Sequence, residues 1–238
     1  MDIVVTGASK GIGYYAAMHL ANSGHNVFAL SRSESGLEKL KMNSNSNSIV
    51  TLPCDLSKEI SLKEVINKIG EQTQSIEALI NNAGYLVNKS FEGLSLNDWK
   101  EIFDVNVFGV FNITKGLLPL LRGGSISNTK KIKSHVVNIS SMGGVQGSQK
   151  FPGLSAYSSS KGALAIMTEC LAEEFKSDGI FVNSISLGSV ETEMFSQAFP
   201  GLKAAATPDE IGKWVAEFRM NGFNFFNGKN VQLSTTTP

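Results

Sequence analysis

The chain has 238 residues, with 21 Lys and Arg balanced by 21 Asp and Glu, so its net charge is zero. That balance argues against a nucleic-acid surface or a membrane-seeking face, because both need clustered positive charge. No apolar run approaches the ~20 residues needed to span a bilayer, and the length suits one α/β domain.

In chain order, short β-branched runs alternate with longer amphipathic ones. Residues 3–6 read as a strand, 11–23 as a helix stopped by Gly24, and 26–30 as a second strand. A polar helix to about Met42 leads into the low-complexity tract 43–48, read as a solvated turn. Residues 49–53 form a third strand, 60–73 a helix and 78–81 a fourth strand. Ser95 with Asp98 three residues on resembles a capping box and opens a long helix to about Leu121. The polar stretch 122–134 reads as a loop before a strand at 136–140. A helix over 155–176 ends at Gly179, and 180–187 is the sixth strand. Thr207-Pro208-Asp209-Glu210 is a helix start, with a capping Thr, Pro in the first turn and Glu three residues after the cap. Residues 231–233 are a last strand before a frayed tail. Alternation of this kind predicts a Rossmann-like, doubly wound parallel sheet of about seven strands covered on both faces. It is expected as a single domain over residues 1–238, with a dinucleotide-binding half at about 1–90 and a catalytic and substrate part at about 91–238.

Cys54 and Cys170 are too few for a disulfide scaffold and read as reduced thiols. With no charged-then-apolar leader, the expected location is cytoplasmic. His19, His25 and His135 have no ligand spacing, so no metal is expected.

The first strand runs directly into Thr6-Gly7-Ala8-Ser9-Lys10-Gly11-Ile12-Gly13. Glycines between a first strand and a first helix let the backbone approach a pyrophosphate, which the helix N-terminus then binds. Asp55 and Leu56 follow the third strand, and Asn81-Asn82-Ala83-Gly84 follows the fourth. Tyr157 and Lys161, four apart on a helix, share one face. An ammonium beside a phenol is expected to lower the phenol pKa from its ordinary ~10, which suits proton transfer.

With three residues between Gly7 and Gly11, these ordered motifs resemble the short-chain dehydrogenase/reductase family over nearly the whole chain, in a 3-oxoacyl-reductase-like, NADP(H)-preferring form. The resemblance implies a nicotinamide cofactor held by Gly7, Ser9, Lys10, Gly11, Ile12, Gly13, Ser31, Arg32, Asp55, Leu56, Asn82, Ala83, Gly84, Tyr157, Lys161, Gly188, Val190 and Thr192. The second strand ends in Leu30-Ser31-Arg32 without a carboxylate, so Arg32 can clamp a 2′-phosphate, with Lys10 as a second cation. The expected cofactor is therefore NADPH/NADP+. Alternatively, Arg32 stacks on the adenine and Lys10 is solvated.

The resemblance also implies four catalytic residues. Ser141 holds the substrate oxygen, with Ser140 as fallback, and Tyr157 delivers the proton. Lys161 tunes Tyr157 and holds the nicotinamide ribose. Asn106 holds a water that links Lys161 to solvent, or else is a buried structural hydrogen-bonder. Three departures are evident: Leu187-Gly188 stands where Pro-Gly is common, the loop from Ser141 to Tyr157 is longer than is commonest, and the C-terminus lacks the usual acidic-Gly-Gly close. Met142, Val145, Phe151 and Leu154, with Leu86, Met194, Phe195 and Phe199, are expected to build an apolar pocket and lid. The predicted activity is carbonyl reduction on a small-molecule substrate, by a homodimer or homotetramer. Oxidation of a steroid- or sugar-like alcohol, and a non-catalytic NADP(H)-binding protein, are the competing readings.

Overall fold

Strands β1 (Asp2–Thr6), β2 (Asn26–Ser31), β3 (Ile49–Pro53), β4 (Ala78–Asn81), β5 (Ser134–Ser141), β6 (Ile180–Leu187) and β7 (Asn230–Leu233) form one parallel sheet in the order β3-β2-β1-β4-β5-β6-β7. The computed structural model describes residues 1–44, 48–126 and 134–234. The middle of the 43–48 tract, most of the expected 122–134 loop and the end of the expected tail lie outside these.

A parallel sheet needs both faces covered, so its central strands are apolar on both sides. Ile3, Val4 and Val5 show this, each fully buried. One face packs on α1 (Gly11–Asn22), α2 (Glu34–Asn43) and α8 (Pro208–Asn221) through Ala17, Leu37 and Val215. The opposite face packs on α3 (Glu59–Gln72) and α5 (Val110–Ile126) through Val65 and Leu117, and on α6 (Ser155–Glu174) through Ala172. α4 (Leu96–Phe103) opens on Ser95 with both arms of the capping box, and α8 opens in the same way on Thr207 and Glu210. The six-residue α7 (Glu193–Ala198) was not expected from the sequence.

Two expectations change. The long helix after Ser95 is interrupted by a π-turn over Asp104–Gly109, between α4 and α5. One inserted residue hardly alters apolar periodicity, so it is not visible as a break. The expected loop at Arg122 is still helix, because α5 runs to Ile126 through Gly123 and Gly124. A Cβ on Gly123 would fall 2.7 Å from the Gln74 carbonyl oxygen, so the helix end lies against the chain entering β4 where a larger residue would not fit. Arg122 pairs with Asp178 at 2.8 Å. Tertiary packing here overrides the poor helix propensity of a Gly pair. Strand order reverses direction between β1 and β4, and this switch point opens a crevice at the carboxyl ends of the strands. Among the described residues no helix is long and apolar enough to cross a membrane.

Candidate active site

A cavity of about 720 Å³ fills that crevice. Its floor begins at the glycine turn. Gly7 has φ +68° and Gly11 φ +60°, a left-handed region that disfavours side chains. A Cβ on Gly7 would stand 2.8 Å from Ala83 Cα, so the turn lies directly on the end of β4. Asn82 stitches the two together: its amide donates to the carbonyls of Thr6 (3.1 Å) and Gly7 (3.3 Å). The Thr6 hydroxyl accepts from the Asn82 and Ala83 N–H groups. Helix α1 carries no side-chain cap, so its first N–H groups remain available to an anion at the turn.

Gly7, Ser9, Lys10, Gly11, Ile12, Ser31, Arg32, Asp55, Leu56, Asn82, Ala83, Gly84, Gly188, Val190 and Thr192 all line the cavity. Gly13 does not; its missing side chain makes room for Asn82. Ser9 and Ser31 hydroxyls meet at 2.7 Å, beside Arg32. Burial works to raise the Asp55 pKa, but two hydrogen bonds from Ser57 and the nearby Arg32 charge outweigh it and hold the carboxyl below its ordinary value. Lys10 is committed elsewhere: its ammonium meets Glu193 of α7 at 2.6 Å across the mouth of the cavity. The turn, the uncapped helix and the Ser9–Ser31–Arg32 corner fit the phosphates and adenosine of a dinucleotide.

At the other end stand Ser141, Tyr157 and Lys161, which β5 and the first turns of α6 bring together. The Ser141 hydroxyl accepts from the Gly143 N–H at 3.2 Å and lies near enough to Tyr157 to favour its ionised form. Ser140 faces away from this role, donating to the Lys161 carbonyl. Lys161 is 4% exposed and its ammonium donates to the Ile139 carbonyl at 2.8 Å, 5.7 Å from the centre of the Tyr157 ring. The expected lowering of the Tyr157 pKa is not what this arrangement produces. Burial pushes Tyr157 up to about 12 against the pull of Ser141, and burial pulls Lys161 down to about 8. The ammonium is directed at a backbone carbonyl, so desolvation decides the phenol's state. Tyr157 is thereby held neutral.

Asn106 lies in the π-turn, fully buried. It accepts from the Tyr85 N–H (2.8 Å) and donates to the Tyr85 carbonyl (2.9 Å) and the Ser160 hydroxyl (2.9 Å). Ser160 in turn donates to the Tyr157 carbonyl at 2.7 Å. A Cβ placed on Gly84 would lie 3.6 Å from both Asn106 Oδ1 and Lys161 Nζ, so Gly84 leaves space beside both. Tyr85 and Ser160 carried no signal in the sequence, because their contribution is to backbone and hydroxyl contacts rather than to a motif.

Leu86, Met142, Phe151, Leu154, Met194, Phe195 and Phe199 line the outer part of the cavity as expected. Val145 does not. It lines a second depression, which shares Gly143, Phe151 and Leu154 with the cavity. Phe199 meets Phe151 edge-on at 5.8 Å and Phe195 at 5.3 Å. Gly188 donates its N–H to the Leu233 carbonyl, so Leu187 at the strand end is paired and Ser234 adjoins the cavity.

Residues 2–203 match the family model for short chain dehydrogenase. The chain is similar to a rhamnolipids biosynthesis 3-oxoacyl-[acyl-carrier-protein] reductase of Pseudomonas aeruginosa, at 30% identity over 89% of this chain and 82% of the relative. It is also similar to a meso-2,3-butanediol dehydrogenase of Serratia marcescens, at 28% identity over 97% of this chain and 92% of the relative. A solved structure of a Pseudomonas aeruginosa RhlG/NADP active-site complex superposes with a TM-score of 0.85 at 25% identity, covering 98% of this chain and 94% of that one.

Proposed function

The chain belongs to the short-chain dehydrogenase family, and from that premise we propose that it is an NADPH-dependent oxidoreductase reducing a ketone or aldehyde carbonyl, on an apolar, 3-oxoacyl-like substrate. The observation that carries this reading is the Ser141–Tyr157–Lys161 cluster opening onto the same cavity as the glycine turn. When bound, NADPH would supply the hydride, with its phosphates at Gly7–Gly13 and Arg32 and its nicotinamide near Val190 and Thr192.

The protein's own groups do the rest. Ser141 orients the carbonyl oxygen and stabilises charge developing there. Tyr157, kept protonated by burial, gives that oxygen its proton. Lys161 would hold the nicotinamide ribose and return a proton to Tyr157, drawing it from solvent through the space beside Gly84 that Asn106 also faces. Arg32 and the Ser9–Ser31 pair, whose hydroxyls meet at 2.7 Å, would hold a 2′-phosphate, which a carboxylate there would repel. The apolar wall from Phe151 to Phe199 favours an acyl or other apolar ketone over a free sugar. Similarity to the butanediol dehydrogenase favours a second reading, oxidation of a small alcohol, in which Tyr157 works as the base. Residues 1–238 are proposed to form one domain that assembles as a homodimer or homotetramer. Phe108 and Phe111, on the π-turn and α5, and Ile166 on α6 are exposed apolar groups suited to such a contact.

NADPH consumption with a panel of ketones tests the activity, and turnover on none of them would contradict it. In fluorescence titrations, Arg32→Ala is expected to weaken NADPH binding by about tenfold and leave NADH within about twofold, consistent with loss of one charge-assisted contact. Tighter binding of NADH than NADPH by the unaltered protein would remove Arg32 from this role.

A further inference from the structure

The flap over the outer cavity is a long excursion between β6 and α8 whose stem is zipped shut. Glu191 donates its N–H to the Ala206 carbonyl at 2.8 Å, and its carboxylate accepts from the Ala204 N–H at 2.9 Å. Between these stem contacts, α7 carries Met194 and Phe195 onto the cavity, followed by Phe199. A helix of six residues has little stability of its own, so its position depends on what holds it from outside.

One such contact comes from a residue that does not line the cavity. Asn88, in the loop after β4, donates its amide to the Ala198 carbonyl at 2.6 Å. That carbonyl closes the last turn of α7, where intrahelical donors run out. The neighbouring Lys89 donates its N–H to the Gly153 carbonyl at 3.1 Å. Gly153 has φ +87°, and a Cβ there would collide with Asn88 Oδ1, so the two loops lie in direct contact. Two residues before Gly153 is Phe151, whose ring meets Phe199. The Asn88-Lys89 pair therefore holds both walls of the outer cavity from behind. It is itself anchored, because the Lys89 ammonium meets Asp98 at 2.7 Å and Asp98 completes the Ser95 capping box of α4.

We propose that Asn88 is a positioning residue for substrate, which fixes α7 against the opposite cavity wall and so sets the fit of the carbonyl compound without touching it. The proposal rests on the carbonyl-reductase reading for its kinetic part only. In Asn88→Asp the shape is kept, the donor is lost and a carboxylate faces a carbonyl oxygen, so the flap is released. With NADPH saturating, KM for an apolar ketone is expected to rise about tenfold in Asn88→Asp and Asn88→Ala, with kcat within about threefold and NADPH affinity unchanged, as for a loss of positioning outside the reacting centre. Asn88→Gln keeps the donor and is expected to restore part of the loss. Hydrogen exchange on the ligand-free protein gives the activity-independent readout: the Phe199 and Leu202 amides should exchange about tenfold faster in Asn88→Asp than in the unaltered chain, while β5 amides stay equally protected. Unchanged exchange at Phe199 and Leu202 would overturn the proposal, as would an unchanged KM. Should the unaltered protein turn over no ketone, the carbonyl-reductase reading falls, and the exchange experiment alone decides the role of Asn88.

Discussion

Both edges of the sheet bury a cation beside a titratable ring, and only one of them opens onto the cavity. At the carboxyl edge these are Lys161 and Tyr157; at the amino edge they are Arg219 and His135, 1% and 0% exposed. The Asn183 amide donates to the Phe226 carbonyl, and its oxygen accepts from the Lys229 N–H, which fixes which way it points. Its nitrogen also meets His135 Nε2 at 3.0 Å, so Nε2 must accept and Nδ1–H must donate to the Arg219 carbonyl. Arg219 donates to the Glu77 carbonyl at 2.6 Å and approaches the Met220 sulfur, while its Nε is left without a partner. Phe218 and Phe223 pack against the His135 ring.

Neither His135 nor Arg219 lines the cavity; both ring nitrogens of His135 are engaged, and Arg219 is directed at the Glu77 carbonyl and the Met220 sulfur. At the carboxyl edge, Ser141, Tyr157 and Lys161 keep unspent donors and acceptors facing open space. Burial of an ionisable group therefore does not mark a site in this protein. Burial beside an open cavity is the better marker.

This contrast can be broken at either edge. A large effect is expected from Ser141→Ala, which removes the hydroxyl that the proposed reaction directs at the carbonyl oxygen. Steady-state assays should show kcat lower by about 10²–10³, with the denaturation midpoint nearly unchanged. Loss of stability without loss of turnover would place Ser141 with the structural residues.

The second effect belongs to the amino edge and is one of stability. The pKa of folded His135 is pulled down to about 3 by burial, below its ordinary 6.5. Between those values the unfolded chain takes up a proton that the folded one refuses, so stability is complete above about pH 6.5 and falls as the pH drops towards 3. From pH 7.5 to 5 this group alone should cost about 2 kcal/mol in urea unfolding. His135→Gln, which can keep one donor and one acceptor, should lose correspondingly less over the same interval. Equal acid sensitivity in the two proteins would mean that His135 is protonated in the folded state.

A smaller effect separates the two cations. Lys161, pulled down to about 8, loses its charge as the pH rises through that value. kcat/KM for NADPH, which reports the free enzyme, should therefore fall by up to about tenfold per pH unit above about 8. A profile flat to pH 10 would contradict the account of Lys161.

Much of this was legible in the sequence, for identifiable reasons. The strand-to-glycine-turn-to-helix unit at Asp2–Asn22 and the Thr207 capping box are local, so adjacent residues carry all the information needed. Ser141, Tyr157 and Lys161 lie in local motifs, and their meeting follows once β5 and α6 pack together. What escaped depends on distant partners. Lys10 is engaged by Glu193, 183 positions away, which no reading of the glycine turn anticipates. The π-turn that holds Asn106 leaves almost no trace in apolar periodicity, and Gly123-Gly124 look like a helix stop until the chain entering β4 is seen against them. The state of Tyr157 is not legible either, because helical spacing reveals that a Lys is near, and not that its ammonium is turned to a carbonyl.

The central claim is that the carboxyl edge works and the amino edge supports, and one crossed measurement tests it most directly. Tyr157→Phe and His135→Gln would be compared with the unaltered protein for NADPH-dependent ketone turnover per folded molecule and for urea unfolding at pH 5. The account predicts that Tyr157→Phe loses about 10²–10⁴ in turnover with its unfolding unchanged, while His135→Gln keeps turnover and alters the acid stability alone. Equal turnover by Tyr157→Phe and the unaltered protein, or a catalytic loss in His135→Gln matching that of Tyr157→Phe, would contradict it.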